Sequence, residues 1–158
     1  MNTQEIFEVL KEKFGDTILE VTGEAPSDLS INVVTEKIAD VCLFLRDTEI
    51  MNFDYLSCLS GMDYKDSLGV VYHLYSTINH QTVVLKVKTN RENPSVPTVE
   101  RIWKTANWHE REAYDMYGIQ FAGHPNMIRI LTCYDWEGWP LRKDYKTPEA
   151  YHGIKVPY

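Results

Sequence analysis

The sequence predicts an α+β fold: two layers, with helices on one face of a mixed sheet of about five strands in the order α-β-β-α-β-β-β. A short docking helix and an extended C-terminal arm follow. Three observations predict this. Apolar residues recur at helical spacing in two short segments, β-prone runs lie between and after them, and Val83, Leu85 and Val87 alternate with Lys86 and Lys88 in a strand with one buried and one wet face. Two helices and five strands in that order pack most compactly as helices on one face of the sheet.

In chain order, Asn2 and Glu5 form a capping pair, and Ile6, Phe7, Leu10 and Phe14 give a short amphipathic helix that Gly15 ends. Thr17 to Thr22 and Leu29 to Val34 read as a hairpin turning through Gly23, Pro26 and Ser27. Thr35 caps a second helix, with Ile38, Val41, Cys42 and Leu45 as its buried stripe and Glu36, Lys37, Asp40 and Asp47 facing out. Phe53 to Leu59, Val70 to Thr77 and Thr82 to Thr89 are the remaining strands, divided by Asp63 to Ser67 and by Asn79 to Gln81. The organisation expected is an α+β domain over 1–97, a docking segment over 98–145 and an arm over 146–158.

Asn90 to Pro97 holds two prolines and no periodicity, so it is a loop leading to a turn at Thr98 to Lys104. Asn107 then caps a three-turn helix in which Glu110 completes an Asn-x-x-Glu capping arrangement, and Gly118 stops it in a left-handed turn. Arg111 lies one turn from Asp115, the spacing at which opposite charges meet. Beyond Gly118 no long period appears, and Pro125, Pro140, Pro148 and Pro157 mark an extended arm. The final segment 146–158 has too little to bury alone to offset the entropy of ordering it, so it is expected to be flexible when free. Tyr151, Ile154, Val156 and Tyr158 would clamp a partner.

Net charge is −7, which argues against nucleic acid as a partner, since phosphate binding needs clustered positive charge. Residues 1–54 hold twelve acids against four bases and residues 55–158 eleven against twelve, so the first third reads as the solvated end and the remainder as the end that docks. No stretch reaches the roughly 18 apolar residues of a membrane span, and no basic-then-apolar signal segment opens the chain, which predicts a cytoplasmic location. Cys42, Cys58 and Cys133 fit neither a disulfide framework nor a zinc site, are too few for a four-cysteine cluster, and read as reduced, mostly buried thiols.

The eight glycines nowhere adopt a nucleotide-loop spacing, and the five histidines show no metal-ligand spacing. No catalytic, cofactor or metal residue is therefore expected on this chain. Glu110 and Glu112 diverge by roughly 200° on a helix and cannot share one pocket for acid–base work, which removes the clearest basis for a free-standing enzyme. His124, before Pro125, is expected to fix a turn by hydrogen bonding. Arg111 and Glu112, among Trp108, Tyr114 and Tyr117, read as buried or interfacial ion-pair partners. Arg142, with Lys143 beside it and Trp136 and Trp139 nearby, has the composition of an interface hot spot, its planar fork suited to a carboxylate.

The stretch EREAYDMYGIQFAGHP (110–125), then Arg129-Ile130-Leu131, then WPLRKDY (139–145), preceded by Trp103, Ala106, Asn107 and Trp108, resembles the signature of one family. It is similar to the C (30-kDa) subunit of NADH:quinone oxidoreductase, respiratory complex I. Two departures are visible: Ile128 where family members usually have a basic residue, and Trp139 where many have histidine, the latter like the photosynthetic relatives. The resemblance implies a non-catalytic peripheral-arm subunit packed against the D (49-kDa-type) subunit and near B, on the cytoplasmic side of the membrane. NADH or ferredoxin, FMN, iron–sulfur clusters and quinone would sit on partner subunits. It also leaves open the equivalent subunit of a membrane-bound hydrogenase or ferredoxin-driven relative. The residues expected at the partner interface are Trp108, Arg111, Glu112, Asp115, Tyr117, Trp136, Trp139, Arg142, Lys143, Asp144 and Tyr145.

Overall fold

The computed structural model describes residues 1–25 and 29–156; Pro26 and Ser27 of the expected turn, with Pro157 and Tyr158 of the arm, lie outside the described residues. At the start of the chain the Asn2 side chain accepts the Glu5 N–H at 2.9 Å while the Glu5 carboxylate accepts the Asn2 N–H at 3.0 Å. This reciprocal cap opens α1 (Thr3–Phe14), which buries Ile6 and Leu10 and ends at Gly15, as the spacing predicts. Next, β1 (Ile18–Thr22) pairs antiparallel with β2 (Ser30–Val33).

A single 3-10 turn over Thr35–Lys37 leads into α2 (Ile38–Asp47). Thr35 does not cap this helix. Its hydroxyl donates to the Lys88 carbonyl at 2.6 Å, tying the turn to a strand instead. The expected stripe of Ile38, Val41, Cys42 and Leu45 is wholly buried, each large side chain worth roughly 1.5–3 kcal/mol of transfer free energy. Phe14 and Phe44 meet edge to face at 5.5 Å and hold the two helices together.

The long strands are β3 (Tyr55–Asp63), which starts after the expected Phe53 and runs on past Leu59, β4 (Ser67–Ser76), which starts before the expected Val70 and stops short of Thr77, and β5 (Gln81–Asn90), one residue longer than expected at each end; consecutive ones pair antiparallel. The five-stranded order is β1-β2-β5-β4-β3, and β2 meets β5 in parallel, which makes the sheet mixed. Registers place Leu59 opposite Tyr72, Tyr72 opposite Leu85 and Leu85 opposite Ile31, a continuous buried row across four strands. Val83, Leu85 and Val87 face inward and Lys88 outward, as their alternation requires.

The segment expected as a loop and turn forms further structure. Ser95–Pro97 (β6) lies parallel to Gln120–Ala122 (β7), flanking α3 (Ala106–Tyr117). Trp103, Ala106, Ala113, Ile119 and Phe121 join the same core cluster as α1 and α2, so the expected boundary at 97 does not divide the core. Gly61, on the inward face of β3, admits α3 there: a Cβ at that position would lie 2.5 Å from the Tyr117 ring.

The arm also differs from expectation. Ala150–Tyr151 (β8) and Ile154–Lys155 (β9) close a small hairpin, and Tyr151 packs on Trp136 of its own chain with ring centroids 5.1 Å apart. Of the three cysteines Cys42 alone is buried; Cys58 is half-buried and Cys133 exposed. Cys133 and Cys58 stay out of the core for a simple reason: one sits in the irregular segment after α3 and the other on the open face of β3.

Candidate functional site

α3 organises the signature, though not through the cap read from its sequence. Thr105 precedes the helix without a side-chain cap, and Asn107 lies inside its first turn. Glu110 points into the protein, where it accepts the Thr98 hydroxyl and the Val99 N–H, the latter at 2.8 Å. It thus tethers the turn between β6 and α3 instead of closing a capping box. Burial pushes its carboxyl up to about 7, against the lowering effect of those two donors. His124 fixes its turn as expected: Nδ1 accepts the Asn126 N–H at 3.0 Å, so the proton sits on Nε2, which donates to the Asn107 carbonyl at 3.2 Å. Gly118 ends α3 at φ 75°, its N–H bonded to the Tyr114 carbonyl at 2.7 Å.

Arg111 and Asp115 do not pair with each other. Arg111 donates Nε and Nη2 to the carbonyls of Ile128 and Arg129 at 3.0 and 3.1 Å. Asp115 accepts the N–H groups of Ile130, Leu131 and Thr132 at 3.0, 2.7 and 2.8 Å, the Thr132 hydroxyl, and Arg129 Nη1 at 2.7 Å. One helix therefore grips 128–132 by its carbonyls through Arg111 and by its amides through Asp115, one turn apart. Asp115 is fully buried, which removes it from the residues able to touch a partner. Its burial alone would raise the carboxyl, but the hydrogen bonds from Thr132, Arg129 and Leu131 outweigh that and hold it at about 2.

The 136–145 segment is lashed to the same helix and to β3. Leu141 N–H donates to the Met116 carbonyl at 3.1 Å, Arg142 Nε to the Tyr117 carbonyl at 2.6 Å, and Lys143 N–H to Asp63 Oδ2 at 2.8 Å. Arg91 binds Asp63 bidentately at 2.6 and 3.0 Å and reaches Asp144 at 2.7 Å, so that Arg91, then the Lys143 and Lys65 amides, keep the Asp63 carboxyl well below the usual range. Trp136 Nε1 donates to the Tyr145 hydroxyl at 3.0 Å. Trp139 lies against Arg129 at 4.6 Å and Tyr114 at 5.2 Å, over the bare Cα of Gly118.

This lashing leaves an apolar surface outside. Trp108 is 70% exposed, Leu131 64% and Tyr134 93%, with Ile128 and Leu141 also exposed. Lys104, Trp108, His109, Glu112, Ile130 and Leu131 line a groove of about 480 Å³ between α3 and the gripped segment. Trp108 and Glu112 are the expected residues that reach this groove. Ile130, Leu131 and Tyr134 were not singled out by sequence reasoning, although the Arg129-Ile130-Leu131 run lies within the signature. Among the described residues no three His, Cys, Asp or Glu side chains are grouped to hold a metal, and no helix is long and apolar enough to cross a membrane.

The model of the family described as respiratory-chain NADH dehydrogenase, 30-kDa subunit, matches residues 31–151. The chain belongs to this family. Within the 30-kDa subunit family, the C subunit of the NADH-quinone oxidoreductase of Chloroherpeton thalassium is 49% identical over 154 residues, covering 96% of this chain and 64% of that relative. Its counterpart from Chlorobium phaeobacteroides is 47% identical over 156 residues, covering 96% and 93%. A solved trypsin-resistant fragment of Nqo5 superposes with a TM-score of 0.63 at 27% identity, covering 75% of this chain and 96% of that one. An archaeal membrane-bound sulfane sulfur reductase structure has a TM-score of 0.73 at 24% identity, covering 90% and 85%, and shares the fold. The α+β architecture and the family resemblance read from the sequence both stand.

Proposed function

We propose that this chain is a non-catalytic peripheral-arm subunit of an ion-translocating NADH:quinone oxidoreductase. It scaffolds the quinone-reducing module, docking through the α3 surface on the D (49-kDa-type) subunit and near B, at the cytoplasmic face of the membrane. Electron carriers (NADH or ferredoxin, FMN, iron–sulfur clusters and quinone) belong to its partners. The observation that carries this reading is the 128–132 segment, gripped on both its carbonyls and its amides by α3, which fixes the backbone of the exposed Leu131 beside the exposed Trp108 of the helix itself. Contiguous exposed apolar surface on a fixed scaffold marks an association site, and rigidity lowers the entropy lost on docking. The relatives' names support complex I over a hydrogenase or ferredoxin-driven assembly, since each is the C subunit of a NADH-quinone oxidoreductase.

The test is the double variant Trp108→Ser, Leu131→Ser in cells that express the whole complex. Exposed residues away from structural contacts change stability by about 0.5 kcal/mol or less, whereas interface hot spots cost about 2–4 kcal/mol. The variant chain should therefore melt with the wild type yet be lost from the purified complex. Full incorporation of the variant chain would overturn the docking assignment.

A further inference from the structure

We infer that Arg142 offers the two Nη ends of its guanidinium, as a preset end-on fork, to a carboxylate side chain of a docked partner protein, in the groove between Trp139 and the turn before β6. The inference deepens the docking reading above and rests on it.

The fork is already fixed in this chain. Arg142 Nε is held by the Tyr117 carbonyl at 2.6 Å, and its guanidinium carbon lies 5.9 Å from the centroid of the Trp139 ring. Trp139 cannot easily yield, because Arg129 and Tyr114 pack on it and Gly118 lies beneath it. With Nε committed inward, carboxylate recognition cannot use the side-on Nε and Nη pair. It must come from the end. There Arg142 opens on a groove of about 360 Å³ lined by Glu92, Pro94, Ser95, Gly118, Gln120 and Trp139.

The Nη groups have no hydrogen-bond partner among the described residues, and no carboxylate of those residues lies within ion-pair reach of Arg142. Its charged neighbours explain why. Asp63 and Asp144, the nearby acids, are both taken by Arg91, whose own cation faces Arg142. Glu92 lines the groove without closing on the fork. Lost solvation, and after it the Arg91 charge, push the Arg142 pKa down, and Asp144 and Asp63 nearby offset only part of that. An incoming carboxylate sets an opposite charge against both costs, and its two oxygens match two parallel N–H donors. Arg91 is saturated by two carboxylates, so the groove supplies one fork, which suits an aspartate or glutamate.

The test replaces Arg142 by an amine that can be captured. In the purified complex carrying Arg142→Lys and Lys143→Arg, zero-length carbodiimide coupling joins an amine to a carboxylate in contact, and mass spectrometry maps the joined peptides. Residue 142 should be joined to an aspartate or glutamate of another subunit. Joining only to Glu92 or Asp144 of the same chain, or no joining at 142 in a fully assembled complex, overturns the inference. If the lysine variant fails to assemble, phenylglyoxal modification of the wild type decides it: Arg142 should be modified in the free chain and the modification lost in the complex. Equal modification in both overturns it. Failure of the wild-type chain to co-purify with any other subunit would instead sink the docking reading, so the two failures are separate.

Discussion

The carboxylate of Asp115 holds Thr132 twice, through its backbone N–H at 2.8 Å and through its side-chain hydroxyl, across seventeen residues of sequence. Together with the Ile130 and Leu131 amides and Arg129, this makes one buried acid the anchor of the whole stretch that carries the exposed apolar residues. A buried carboxylate with this many donors resists protonation, because each donor favours the charged form.

Asp115→Ala should therefore release 128–132 and leave Arg129 short of its partner. Removing one member of such a buried pair costs about 3–5 kcal/mol, read by urea denaturation of the full chain. The pH dependence has a fixed sign. With its pKa lowered to about 2, Asp115 contributes stability that is present above the ordinary carboxylate pKa and is lost as pH falls through about 2. An alanine variant that matches the wild type in urea would show that the grip is not needed.

Glu110 should do the opposite. Its folded pKa is raised to about 7 from the ordinary 4.5, so the protonated form is the one the fold favours. Its contribution is complete below pH 4.5 and is lost as pH rises through about 7, a change of roughly 3 kcal/mol across the window. Glu110→Gln keeps the shape and removes the titration. Denaturation between pH 4 and pH 8 should show the wild type weakening relative to the variant as pH rises, and parallel curves would contradict the assignment.

These two acids also show how far the sequence could be read. The first helix was legible because Asn2 and Glu5 are local to each other, and so was the inward face of β5, whose alternation repeats within seven residues. Glu110 and Asp115 have local partners at plausible spacings, Asn107 and Arg111, and the local reading fails for both. Their actual partners are brought in by tertiary folding, from Thr98 and Val99 on one side and 129–132 on the other. The parallel pairs β2 with β5 and β6 with β7 were hidden for the same reason. β6 and β7, of three residues each, show no period, and the pairing of β2 with β5 joins segments about fifty residues apart, which alternation within either strand does not report.

Gly118→Ala should cost more than a simple helix-end substitution. At φ 75° an L-residue is strained by roughly 1–2 kcal/mol, and the new Cβ would meet the Trp139 ring at 2.5 Å. Trp139 must then leave its place over the helix end, carrying the Arg142 contact with it. The expected outcome is a loss of stability with a shift in tryptophan emission; a stability loss without displacement of Trp139 would mean that the backbone yields instead.

The C-terminal hairpin is latched to its own chain at Asp135 and Trp136. Asp135 accepts the Tyr151 hydroxyl at 2.7 Å through Oδ1, and its Oδ2 meets His152 Nε2 at 2.7 Å, while Val156 N–H closes the hairpin on the Glu149 carbonyl at 3.0 Å. Two-residue strands cannot persist alone in water, so the latch, with Trp136 packed on Tyr151, must supply the order. The Tyr151 hydroxyl, and after it His152, hold the Asp135 carboxyl below its ordinary value. The latch is accordingly present above the ordinary carboxylate pKa and weakens as pH falls through the lowered one. In hydrogen exchange of the free chain, the Val156 amide should be protected in the wild type and lose that protection in Asp135→Ala, while the amide of Leu85 in the central sheet stays unchanged. If Val156 exchanges equally fast in both proteins, the hairpin is not held by Asp135, and the arm becomes ordered only on contact with a partner.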